Sequence, residues 1–181
     1  MTKTAFLDLN GTLVTPIVVD RLEELRLVPG ATEAVAALCR GGFRCPVVTI
    51  QSRIAKGVFT EAQFRAWFRR LAEGMSESGA RLEGPYVCPH RFATPCACKK
   101  PSTVLYEQAA AECGLELKGA FVVGDTAADM EAAERLGGIG CLVHDGPPTH
   151  ASDFASARSR AAYVGRNLAG VVEWILARSA A

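Results

Sequence analysis

Three short stretches of this 181-residue chain carry side chains whose types and spacing suit chemistry better than packing. The first is Asp8-Leu9-Asn10-Gly11-Thr12-Leu13, at the end of the apolar run 4–9. A carboxylate leaving an apolar strand costs free energy unless a cation or several donors meet it. Side chains two apart on a strand share a face, which turns Asp8 and Asn10 toward one crevice. Gly11 permits a tight turn whose backbone amides can approach an anion. The second stretch is Gly124-Asp125-Thr126-Ala127-Ala128-Asp129, behind another apolar run. Asp125 ends that strand, and Asp129 lies one helical turn further along the same face. Two carboxylates facing Asp8 repel one another unless a hard cation with oxygen ligands joins them, and Mg²⁺ is the natural choice. The third is Cys88-Pro89-His90, then five residues, then Cys96-Ala97-Cys98. Three thiolates and one imidazole form a complete tetrahedral set for a structural Zn²⁺, with no position left open for catalysis.

These groups need a scaffold that delivers them to one rim. Short apolar runs alternate with helix-like segments, the pattern of a parallel sheet flanked by helices. Strands are expected over 4–9, 45–50, 85–88, 120–123 and 140–144, and near 162–164. Helices are expected over 31–39, stopped by Gly41-Gly42, and over 60–78, opened by a Thr60/Gln63 capping box. Others are expected from a Ser102 cap to about 113, after Asp125 to 136, briefly before 162, and from 167 to about 178. Phe64, Trp67, Phe68 and Leu71 fall at helical spacing and read as core. In such sheets ligands bind beyond the carboxyl ends of the strands. Here those ends carry 8–10, 49–52, 88–90 and Asp125, so four strands bring carboxylate, hydroxyl and metal-ligand chemistry together.

Composition narrows the partners. Twenty Lys+Arg against nineteen Asp+Glu leaves no broad basic face for nucleic acid. No window approaches the roughly 20 apolar residues of a membrane span, and the N-terminus lacks a signal-peptide pattern. A cytoplasmic protein without nucleic-acid or membrane partners is expected, as a monomer or small homo-oligomer. Without repeats, low-complexity runs or linkers, residues 1–181 read as a single domain. Seven cysteines, an odd number, fit a disulfide framework poorly. Cys39, Cys45, Cys113 and Cys141 read as core thiols. His144 and His150 have no partners at ligand spacing and receive no role. Arg53 and Lys56 admit two readings, substrate contact or solvated surface charge.

The ordered set FLDLNGTL, Thr49 in VVTIQS, Lys99-Lys100-Pro101 and VVGDTAAD resembles the four motifs of the haloacid-dehalogenase superfamily. VVTIQSRIAKG over 47–57 and the Cys/His loop running into Lys99-Lys100-Pro101 are similar to the heptose-bisphosphate and histidinol-phosphate phosphatases of that superfamily. The resemblance spans residues 4 to about 144. It implies a Rossmann-like three-layer α/β/α fold with a mostly parallel sheet, no large cap domain and a zinc loop at 88–98. It implies that Asp8 attacks a small phosphorylated substrate and that Thr49, Gln51, Lys99 and Lys100 bind phosphate. Mg²⁺ would be held by Asp8, Asp125 and the backbone carbonyl of Asn10, with Asp129 anchoring it through water or orienting Asp125.

The chain departs from the pattern at Asn10, where these phosphatases have a second Asp that protonates the leaving oxygen and then activates water. An amide cannot exchange a proton in either role. Leu9 replaces Arg, Ile50 replaces Asn, Arg53 replaces Gly, and Lys99 stands where the heptose phosphatases have Arg. Three readings stay open: a slow phosphatase or one specialised for a good leaving group, a phosphate-binding or regulatory relative without turnover, and an Asn10 introduced to trap an intermediate. The first is favoured because five converging polar groups, Asp8, Thr49, Lys100, Asp125 and Asp129, are retained.

Overall fold

The computed structural model describes residues 3–144 and 151–180, and His150 lies outside them. Its sheet is built from β1 (Lys3–Leu7), β4 (Phe43–Arg44), β5 (Pro46–Ile50), β6 (Glu83–Cys88), β7 (Phe121–Gly124), β8 (Ile139–Val143) and β9 (Tyr163–Gly165). The order is β6-β5-β1-β7-β8-β9, with β4 pairing the start of β1, and every pairing is parallel. Taken in chain order these six strands run 3-2-1-4-5-6, the doubly wound dinucleotide-fold order, whose switch point lies between β1 and β7.

Alternation along the strands explains the layers. Ala5 and Leu7 of β1 and Phe121 and Val123 of β7 face one core, while Phe6 and Val122 face the other. The first core is closed by α1 (Ala31–Arg40), α3 (Glu61–Ser76) and α7 (Leu168–Ser179). The second is closed by α4 (Val104–Cys113) and α5 (Ala127–Arg135). A smaller cluster, Met130, Leu142 and Ala157, seats α6 (Ala151–Arg160). With both faces covered, the central strands read as unbroken apolar runs. Only α2 (Ser52–Ala55) and α3 intervene between β5 and β6, so no large cap domain is inserted there. No helix among the described residues is long and apolar enough to cross a membrane.

The Thr60/Gln63 capping box forms in both directions, Gln63 N to Thr60 Oγ1 at 3.1 Å and Thr60 N to Gln63 Oε1 at 2.8 Å. Phe64, Trp67 and Phe68 are buried and Leu71 partly so, which makes the aromatic stripe core. Several boundaries differ from expectation. The first strand stops at Leu7 because the chain turns: the Leu9 carbonyl accepts from Leu13 N at 2.8 Å and Val14 N at 2.9 Å. The Ser102 cap is corrected by one residue, since Thr103 occupies the cap and the helix begins at Val104. The Ser102 hydroxyl still accepts from Val104 N at 3.3 Å. Of the four thiols read as core, Cys45 and Cys141 are buried, and Cys39 and Cys113 are half-buried. Sequence reasoning missed a flap beside β1, made of the antiparallel pair β2 (Val14–Thr15) and β3 (Arg26–Leu27) with a 3₁₀ turn at Leu22–Glu24 between them.

Phe64 is fully buried and stacks between Phe59 and Trp67. Phe64→Ala is expected to destabilise the chain by about 3–5 kcal/mol, and Thr60→Ala by about 1 kcal/mol, read as shifts in urea-unfolding midpoints.

Candidate active site and metal centres

Asp8 follows β1, and its backbone N still bonds the Val123 carbonyl of β7 at 2.8 Å, which holds the nucleophile candidate at the switch point. Asp125 follows β7 directly. Two glycines clear the space these acids need. A Cβ on Gly11, whose φ is +91°, would lie 2.1 Å from Asp125 Oδ2, and one on Gly124 would lie 2.3 Å from Asp129 Cγ. Ligand oxygens of Asp8, Asp125 and Asp129 all lie within 4.8 Å of one another.

Lys100 reaches into this cluster. Its ammonium stands 2.6 Å from Asp8 Oδ1 and 2.7 Å from Asp129 Oδ1, and only 6% of the residue is exposed. Asp129 Oδ2 accepts from Thr126 Oγ1 at 2.6 Å and Thr126 N at 3.2 Å. The two Asp129 oxygens are therefore spent on Lys100 and on the cap of α5. The side chains that hydrogen-bond Asp129 are thus Lys100 and Thr126, and no bond from Asp129 to Asp125 is among them. Thr126 was missed, although Thr-x-x-Asp has capping-box spacing.

Three carboxylates thus cluster at one ammonium that touches two of them, Asp8 and Asp129. Burial raises Asp8 to about 6, with Lys100 pulling it back down and Asp129 pushing it up. Burial also raises Asp125 to about 8, with Asp8 and Asp129 adding to the rise. Lys100 moves well above its usual value: burial opposes this, but the attraction of Asp129 and Asp8 prevails. Negative charge in excess of the protein's own cations, on oxygen donors at a strand-end crevice, is the condition a hard divalent ion relieves.

On the β5 side, Gln51 Nε2 donates to Asn10 Oδ1 at 2.7 Å and to Thr49 Oγ1 at 2.9 Å, and both Thr49 and Gln51 are buried. Asn10 Nδ2 donates to the Ile17 carbonyl of the flap at 3.2 Å. Arg53 of α2 bridges to Asp20 of the flap at 2.9 Å, so its charge is paired. Lys56 is exposed. Lys99, expected at the phosphate, donates its ammonium to the carbonyls of Arg91, Phe92 and Thr94, each at 2.7 Å.

The Cys/His set converges as expected. Cys88 Sγ lies 3.7 Å from His90 Nδ1 and 3.7 Å from Cys96 Sγ, and Cys98 Sγ lies 3.3 Å from His90 Nδ1 and 3.8 Å from Cys96 Sγ. Zn–S bonds of about 2.3 Å in a tetrahedron require S···S edges of about 3.8 Å. The three cysteines are free thiols, and with His90 they fit one tetrahedral ion. The loop seats on α2 through Ala55 N to Pro89 O at 3.2 Å and Arg91 Nε to Ala55 O at 3.3 Å.

Comparison with known proteins agrees with this geometry. Residues 97–171 match the family model described as "HAD-hyrolase-like". The D-glycero-beta-D-manno-heptose-1,7-bisphosphate 7-phosphatase of Yersinia pestis is 34% identical over 161 residues, covering 84% of this chain and 86% of its own. The protein of that name from Escherichia coli K12 is 33% identical over 152 residues, covering 79% and 80%. The solved D,D-heptose 1,7-bisphosphate phosphatase from B. bronchiseptica, complexed with magnesium and phosphate, superposes with a TM-score of 0.82 at 26% identity, over 97% of this chain and 99% of that one. The chain belongs to the haloacid-dehalogenase superfamily of phosphatases, in the group of the heptose-bisphosphate phosphatases.

Replacing Lys100 leaves buried carboxylates facing one another. Lys100→Met is expected to destabilise the chain by about 3 kcal/mol or more, measured by urea unfolding, and a wild-type midpoint would contradict the ion-pair geometry.

Proposed function

We propose that this chain, as one domain over 1–181, is a Mg²⁺-dependent phosphohydrolase. It removes the phosphoryl group of a small phosphorylated metabolite, a sugar phosphate or bisphosphate, through an aspartyl-phosphate on Asp8, and it turns over slowly because of Asn10. The observation that carries the reading is the 2.6 Å contact of Lys100 with Asp8 inside a cluster of three acids at the sheet's switch point. The heptose bisphosphate named for the relatives supplies the substrate class. Asp8, Asp125 and the Asn10 carbonyl would hold Mg²⁺, with Asp129 behind them. When bound, that ion neutralises phosphoryl charge and fixes the phosphate against the nucleophile.

The remaining work falls to the chain's own groups. An Asp8 oxygen attacks phosphorus as the bond to the leaving oxygen breaks, which divides one difficult displacement into two. The Lys100 ammonium and the Thr49 hydroxyl donate to equatorial oxygens as charge builds on them. Gln51, donating to Thr49 Oγ1, leaves the hydroxyl proton free for that purpose. The leaving oxygen then needs a proton, and water must lose one to cleave the aspartyl-phosphate. Asn10 can do neither, and its amide is already engaged at both ends by Gln51 and Ile17. General acid–base catalysis supplies about 10²- to 10⁴-fold, so its loss costs roughly 3–5 kcal/mol of barrier. Acyl or anomeric phosphates, whose leaving groups need the proton least, suit such a site best. The same fixed amide favours a second reading, a phosphate-binding relative arrested before hydrolysis.

Zinc, in this reading, is structural: Cys88, His90, Cys96 and Cys98 close its coordination and hold the loop ahead of Lys100. A cytoplasmic location, a small-molecule substrate and a monomer or small homo-oligomer complete it.

Two measurements test the reading. Asn10→Asp is expected to raise kcat by about 10²- to 10⁴-fold in a phosphate-release assay with Mg²⁺, while Asp8→Asn abolishes both turnover and any phosphorylated adduct. Adduct or turnover surviving in Asp8→Asn would remove Asp8 as nucleophile. Freshly purified chain is expected to carry one Zn²⁺ by elemental analysis, and Cys96→Ser to lose it. Substoichiometric zinc in the wild type would count against the site.

A further inference from the structure

Lys99 has no task in the reaction as derived, yet its ammonium is the most completely matched charge in the zinc loop. An ammonium carries three N–H donors and no acceptor. Here the three carbonyls of Arg91, Phe92 and Thr94 each stand 2.7 Å from Nζ. All three come from 91–95, the span between His90 and Cys96, which forms neither helix nor strand. A single backbone bond, Thr94 N to Arg91 O at 3.0 Å, turns that span. Carbonyl dipoles aimed at one point repel unless a cation occupies it, so the loop's shape and the Lys99 charge require each other. Lys99 also sits between the last zinc ligand, Cys98, and Lys100, whose ammonium must meet Asp8.

We infer that Lys99 is a positioning residue: its ammonium clamps the 91–95 span, fixing His90 and Cys96 for zinc and aiming Lys100, and it does not grip the substrate. The inference rests on the zinc-loop reading above. A point charge with rotatable donors suits three converging carbonyls, whereas a planar guanidinium is shaped for parallel acceptors. The Lys that replaces the family's Arg here is thus matched to the loop and not to an anion in the crevice.

The test uses the zinc-loaded full chain as wild type, Lys99→Met and Lys99→Arg. Zinc transfer to 4-(2-pyridylazo)resorcinol and tryptic cleavage after Arg91 report on the loop, and neither needs turnover. Failure of the phosphatase reading therefore leaves this test intact. Kinetics on a sugar monophosphate and on fructose 1,6-bisphosphate report on the substrate. In Lys99→Met, zinc transfer and cleavage after Arg91 are expected to accelerate at least about tenfold. Where turnover is measurable, kcat should fall by the same factor on both substrates with KM unchanged. Lys99→Arg is expected to leave the loop similarly open, and it decides the question if the Met variant does not fold. Wild-type zinc transfer and protection in either variant overturns the inference, as does a rise in KM confined to the bisphosphate.

Discussion

A single buried ammonium set among three carboxylates governs much of how this molecule is built. Lys100 comes from a loop, Asp8 and Asp125 from neighbouring strands, and Asp129 from the first turn of a helix. Burying that much charge is unfavourable unless every oxygen finds a partner. The chain meets the demand by convergence. Val123 holds the Asp8 backbone, Thr126 holds Asp129, and Gly11 and Gly124 give up the volume that side chains would take from the acids. What the protein does not supply is enough positive charge: burial, with neighbouring acids adding to it, holds Asp8 and Asp125 above the usual carboxylate range despite Lys100. A site left short of cations by its own scaffold is one that a hard divalent ion would relieve.

The topology makes this convergence possible. At the switch point the chain leaves β1 toward β5 and later returns to its other side as β7, so the ends of β1 and β7 open a crevice that no crossover helix covers. Lys100 enters that crevice from the zinc loop, and a flexible loop would make a poor support for a residue held to 2.6 Å contact. The 88–98 segment groups four side chains that could hold one metal ion, seats on α2 and turns three carbonyls onto Lys99, contacts that restrain a span without helix or strand.

Legibility in the sequence followed interaction range. Asp8 and Asp125 were readable because a carboxylate ending an apolar run is locally anomalous, and the Cys/His cluster because four side chains of metal-binding type fall within eleven residues. The Thr60 capping box and the aromatic face of α3 were readable for the same reason: each is a spacing rule within one element. The flap was not, since β2 and β3 are two residues each and are defined by pairing across a ten-residue gap. Nor were the pairing of Arg53 with Asp20, the Asp129–Lys100 contact and the orientation of Lys99, because a charged side chain's sequence position does not say which of several neighbours it meets. The resemblance supplied Lys100 and Thr49, which local chemistry alone had not distinguished from other polar residues.

Asn10 shows how a substitution read as a loss can also be a local fit. Its amide accepts from Gln51 and donates to the Ile17 carbonyl, tying the flap to the end of β5. A carboxylate at the same place would keep the first bond and set negative charge against that carbonyl. Only a protonated carboxyl could donate there, and protonated is the form a general acid needs before it acts. The flap contact would therefore favour the acid form of an Asp and resist its ionisation, whereas Asn satisfies the contact permanently and gives up the proton. Anchoring the flap and moving the proton are competing uses of one side chain, and this chain has the residue that serves the first.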